Sequence, residues 1–166
     1  MSQNTPKGFK VIKNEAIITL DELESDKSLD FLRSKTNLTS LVIRKNSFEG
    51  WVVYPPVAWY QQIEFQEPFW ELPEVVTTLI NLKTLILLDL DIKTLPNAIV
   101  NLKNLEKLNL STNKLELTNE LKKLEKLSKL KHLILYGNHY VEEEIITFQN
   151  KFENLKIEYK DNQEFD

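Results

Sequence analysis

A chain of 166 residues, 42% apolar and 28% charged, has the size and composition of one ordinary soluble domain. Its net charge of −4, with acidic and basic residues interspersed, argues against the basic face that nucleic-acid binding requires. The absence of cysteine excludes disulfide caps and thiolate chemistry, and no apolar run approaches the roughly 20 residues that span a bilayer.

The first residues, Met1 to Phe9, lack the apolar stretch of a secretory signal. A cytoplasmic location is therefore expected, or a secreted one if a signal has been removed. Further along, pairs of apolar residues one position apart recur at Ile18/Leu20, Leu41/Ile43, Ile63/Phe65, Leu85/Leu87, Leu108/Leu110, Leu133/Leu135 and Leu155/Ile157. Their first members advance in steps of 23, 22, 22, 23, 25 and 22. Such alternation places both apolar residues on one face of a short strand. About seven such strands, each too short to be stable alone, are expected to stack in parallel over one shared core.

The connecting segments differ. A helix near 26–35 presents Leu29, Phe31 and Leu32 before the second strand. Phe48 to Trp59, with a Pro-Pro pair, reads as an irregular packed return, and Trp51, Tyr54, Trp59, Tyr60, Phe69 and Trp70 concentrate aromatic surface behind the sheet or on a second recognition site. Leu72–Pro73 and Leu95–Pro96 open two similar segments that predict short helical or 3₁₀ turns. Thr118 is placed to cap a helix carrying Leu121, Leu124, Leu127 and Leu130. A last helix, about 141–152, is expected to bury Val141, Ile145, Phe148 and Phe152.

Four units extend the alternation into a longer pattern. It runs Leu38-x-x-Leu41-x-Ile43-x-x-Asn46-x-Phe48, then from Leu82 through Leu90 to Ile92, from Leu105 through Asn113 to Leu115, and from Leu130 through Asn138 to Tyr140. This resembles the leucine-rich repeat, L-x-x-L-x-L-x-x-N-x-L, in a short bacterial-type form. The resemblance implies an α/β fold, a right-handed horseshoe solenoid. The whole chain, 1–166, is expected to form one domain: 10–35 as N-terminal cap, 36–140 as core repeats, 141–160 as C-terminal cap and 161–166 as a polar tail. Asn46, Asn113 and Asn138 fill a slot whose amide can bond the neighbouring coil. Leu90, and Pro68 in the third unit, interrupt that ladder, so a less regular turn is expected there.

Residues between the inward pairs face outward from the concave sheet. Ile86 and Leu88 on one strand, and Ile134 and Tyr136 two strands later, are apolar outward positions flanked by Lys107, Asn109 and Ser111. This resembles an interface core with its rim. Arg44, Lys107 and His132 would set charge complementarity.

Chemistry finds little support. His132 and His139 are the only histidines, with no spacing for a metal site. Gly8, Gly50 and Gly137 build no phosphate-binding loop, and the run Glu142–Glu144 suits a helix N-terminus. No catalytic residue, metal or cofactor is expected. The expected function is non-enzymatic: binding of another protein through the concave sheet, with neither nucleic acid nor membrane as partner, by a monomer or weak homodimer. The alternatives are a bacterial toxin-inhibiting immunity protein or host-interaction factor, and a self-associating structural protein.

Overall fold

The computed structural model describes residues 6–23, 27–46 and 70–160. Seven strands form one sheet in chain order: β1 (Phe9–Ile12), β2 (Glu15–Thr19), β3 (Ser40–Arg44), β4 (Thr84–Leu88), β5 (Lys107–Asn109), β6 (His132–Ile134) and β7 (Lys156–Glu158). All neighbours are parallel except β1 and β2, which form an antiparallel hairpin. Gly8 holds that hairpin against the chain that follows it. Its carbonyl accepts from Thr19 N–H at 2.8 Å, and a Cβ there would lie 2.7 Å from the Thr19 carbonyl oxygen.

The inward residues do what their alternation requires. Ile18, Leu41, Ile43, Leu85, Leu87, Leu108, Leu110, Leu133 and Leu135 are buried in one continuous apolar core. The second layer is built mainly of 3₁₀ turns at Asp30–Ser34, Glu74–Thr78 and Asn97–Asn101, with helices α1 (Leu117–Leu124) and α2 (Glu142–Gln149). Pro73 and Pro96 immediately precede two of those turns. There a proline's fixed φ matches the extended entry and no helical N–H is lost.

The register corrects the sequence alignment in three places. First, β3 pairs directly with β4, Ser40 beside Thr84. The strand expected at Ile63/Phe65 therefore does not lie between them, although those residues themselves lie outside the described ones. The second layer makes the same jump, since the turn at 30–34 contacts the one at 74–78. Second, the inward pair of the first coil is Ala16/Ile18, because Ala16 pairs with Leu41 and Ile18 with Ile43. Third, Ile157 pairs with Leu133, so the last coil is also displaced by two from the expected Leu155/Ile157. A displacement of two preserves which face is buried, because strands repeat with period two. Hydrophobic pattern alone cannot detect it.

Smaller corrections have local causes. The helix expected at 26–35 is a 3₁₀ turn entered through Leu29 in left-handed conformation (φ 57°). Its residues Leu29 and Leu32 are buried as expected. Helix α1 starts at Leu117, too early for Thr118 to cap it, and the Thr118 hydroxyl instead donates to Glu144 of α2. Val141 precedes α2 and is 49% exposed, while Ile145 and Phe148 are buried.

The asparagine ladder is seen at Asn113 and Asn138. Asn113 Oδ1 accepts from Leu90 and Ile92 N–H at 3.2 Å, while its Nδ2 donates to the Leu87, Leu110 and Ser111 carbonyls. Asn138 repeats the arrangement one coil later, accepting from Leu115 N–H and donating to the Leu110 and Leu135 carbonyls. Asn46 is exposed. Asp89 (φ 55°), before Leu90 in the slot, is left-handed like its counterparts Thr112 (φ 57°) and Gly137 (φ 67°). Where Leu90 takes the slot, Asp91 (φ 56°) is left-handed as well, and this second residue makes the turn less regular. Glu120 adds a tie that the pattern does not announce. This 2% exposed carboxylate accepts from Leu95 N–H (3.0 Å), Thr94 Oγ1 (2.8 Å) and Lys123 Nζ (3.0 Å), and so holds the preceding coil.

Candidate interaction surface

The outward residues form rows fixed by the register. One row runs Ile17, Val42, Ile86, Asn109, Ile134, Glu158 across β2 to β7. A second runs Glu15, Ser40, Thr84, Lys107, His132, Lys156. On the third row Arg44 stands beside Leu88. At ~4.8 Å per interval the sheet is roughly 29 Å across.

All eight expected contact residues belong to this sheet or the turn that follows it, yet they do not form one patch. Ile86 and Leu88 (36% exposed) lie with Arg44 on β3 and β4, with Lys107 and Asn109 on the next strand. Ile134, although on an outward row, is only 9% exposed between its neighbours Asn109 and Glu158. It is covered rather than presented. Ser111, expected at the rim, is also buried, and its Oγ has no hydrogen-bond partner among the described residues.

His132 and Tyr136 belong to a polar cluster around Glu158. His132 Nε2 lies 2.8 Å from one carboxylate oxygen of Glu158, the Tyr136 hydroxyl donates to the other at 3.1 Å, and Lys156 Nζ pairs with the first. Hydrogen bonds from Lys156 and then His132 hold the Glu158 carboxyl down at about 2, well below its ordinary value. That end of the sheet has its charges internally matched.

The apolar part of the surface extends the other way. Ile17, 37% exposed, and half-buried Val42 stand in line with Ile86 and make a ridge across β2, β3 and β4. The sequence reading missed this ridge because it placed Thr19 beside Val42 and set a whole coil between Val42 and Ile86. The available signal was Ala16, a residue too small to look like a repeat leucine. The aromatic residues from 51 to 69 lie outside the described residues, while Trp70 packs half-buried against the core.

Charge on this face differs in sign from the chain. Within the strands the outward residues Lys10, Arg44, Lys107 and Lys156 are cationic, against the anions Glu15 and Glu158, whereas the whole chain carries −4. Among the described residues no group of three metal-binding side chains occurs, and no helix is long and apolar enough to cross a membrane.

This coiled arrangement of strands is also found in solved proteins. The chain superposes on an internalin of Listeria monocytogenes with a TM-score of 0.50 and 21% identity, covering 82% of this chain and 39% of that one. It superposes on a leucine-rich-repeat protein of Leptospira interrogans with a TM-score of 0.55 and 25% identity, covering 82% of this chain and 34% of that one. This chain has the leucine-rich-repeat fold. The leucine-rich-repeat chain thus spans well under half the length of each of these structures. No protein-family model matches its sequence, and no curated protein does.

Proposed function

We propose that this leucine-rich-repeat chain is a non-enzymatic binding module that holds a protein partner on the open face of its sheet. The observation that carries the reading is the ridge Ile17–Val42–Ile86 with Leu88 beside it. These apolar side chains come from three strands and are fixed by backbone register rather than by flexible loops. Presenting them costs little ordering entropy on association. Arg44 and Lys107 flank the ridge, and the cationic excess of the face suits a partner segment with apolar anchors and an acidic margin. Ile86 and Leu88 are the anchors in this reading. Asn109 supplies rim hydrogen bonding, and His132, Ile134 and Tyr136 serve to shape the far end of the sheet.

The experiment compares proteins retained from native lysate by the wild type and by Ile86→Ala/Leu88→Ala, quantified at two salt concentrations. The variant is expected to lose about tenfold or more of one specific partner while its melting temperature stays within a few degrees of wild type. Wild-type retention of that partner should also weaken with salt. Equal retention by both proteins removes the open face as the binding surface.

A further inference from the structure

We propose that β7 is a self-pairing edge, through which two copies of this chain join antiparallel about a two-fold axis centred on Ile157. The sheet order leaves β7 with one neighbour among the described residues. Its backbone bonds to that side are made by alternate residues: Lys156 N–H donates to the Lys131 carbonyl (2.9 Å), and the Glu158 carbonyl accepts from Leu135 N–H (2.7 Å). A strand residue sends its N–H and C=O to the same side, and successive residues alternate. The amide and carbonyl of Ile157 therefore point to the open side. An antiparallel two-fold axis can pass through residue 156, 157 or 158. Through Lys156 or Glu158 it sets like charges opposite one another, whereas at Ile157 that residue exchanges both bonds with its own copy.

That axis also fixes which side chains meet. Lys156 falls opposite Glu158 of the partner subunit, and Glu158 opposite Lys156 of the partner subunit, both pairs on the open face. Opposite charges directly across a strand pair are favourable, and here one strand supplies both signs to itself. Glu158 is already held in position by His132, Tyr136 and its own Lys156, so pairing extends an existing ion pair across the junction and costs little side-chain freedom. At the other end of the sheet, β1 has no acidic residue to match Lys10. The layer behind β7 mixes apolar and charged groups, since Lys160 lies over the Tyr159 ring and pairs with Glu142. Ile157 and Tyr159 are half-buried, Tyr140 packs edge-on against Tyr159 with ring centroids 5.2 Å apart, and Ile146 is 48% exposed one turn beyond Glu142, whose carboxylate Tyr159 reaches. Pairing covers this end with its own copy. Because directly opposite residues share a face, both open faces of the joined sheet look the same way.

Sedimentation velocity of the full chain from about 1 µM to about 1 mM tests the proposal. A reversible species of twice the 19.5 kDa mass is expected, together with protection of the Ile157 amide from hydrogen exchange that grows with concentration. Lys156→Glu sets carboxylates opposite one another and should move the dimerisation midpoint up by about tenfold. Lys156→Glu combined with Glu158→Lys restores opposite signs and should bring it back. A chain that is monomeric throughout overturns the proposal. So does a dimer whose midpoint ignores Lys156→Glu, or one in which Ile157 protection does not change with concentration. The exchange measurement on the wild type decides even if a variant folds poorly.

Discussion

Asn113 shows how a single side chain can join two coils. It is buried and makes five hydrogen bonds, two of them to backbone amides of the preceding coil. Removing it strands buried donors and acceptors, each costing roughly 1–3 kcal/mol. Asn113→Ala should therefore lower unfolding free energy in urea by roughly 2–4 kcal/mol. Asn138→Ala, at a half-buried site, should cost about half as much; equal losses would contradict this account. The asparagine slot was legible in the sequence because its spacing from the leucines is fixed. Glu120 was not, since a carboxylate among lysines on a helix reads as a solvated face. Only the fold reveals that it turns inward to the Leu95 amide. Ile134 misled in the opposite direction: alternation gives the side a residue faces, whereas its exposure depends on Asn109 and Glu158 from other coils.

At the scale of elements, pattern identifies strands well and their partners poorly. The inward faces of β3 to β6 were all readable, yet the displacement by two in the first and last coils was not, because shifting by two leaves every inward residue inward. The price was a misjudged surface: Ile17 was set away from Val42, and Lys156 away from His132. The true register of β7 makes its stability sensitive to acid. The Glu158 carboxyl titrates at about 2 in the folded chain, below its ordinary 4.5, owing first to Lys156 and then to His132. Its contribution is complete above about pH 4.5 and is lost as pH falls toward 2. Glu158→Gln should therefore melt below wild type at pH 7, and the two melting curves should converge by about pH 2. A constant difference across that range would show that the ion cluster adds nothing to the last coil.

Across the whole molecule, the direct pairing of β3 with β4 sets the order of folding. Partners at this junction are Ser40 and Thr84, 44 residues apart, against 23 for Thr84 and Lys107. Nearly doubling the loop adds about 0.6 kcal/mol of closure entropy, so the shorter coils β4 to β6 are expected to assemble first. Leu108→Ala and Leu41→Ala remove equally buried leucines, each costing roughly 2–5 kcal/mol at equilibrium. Stopped-flow kinetics should place most of the Leu108 effect in slower folding and most of the Leu41 effect in faster unfolding. The reverse partition would put the nucleus at the N-terminal end. This junction was illegible beforehand because Ile63 and Phe65 fall at the right spacing, and spacing says nothing about what lies between two strands.

The buried side-chain ties to backbone amides run one way. Asn113 serves Leu90 and Ile92, Asn138 serves Leu115, and Glu120 serves Leu95; in each case a later residue satisfies an earlier backbone. A ribosome releases this spiral from its front, so the coils holding Leu90, Leu95 and Leu115 leave the exit tunnel with amides still waiting for the turn behind them. Trimming at either end opens a sheet edge, but trimming from the rear also strips those amides of their side-chain partners, whereas trimming from the front leaves those side chains idle. Coils of this chain are thus not interchangeable cassettes, and its two ends should tolerate shortening very unequally.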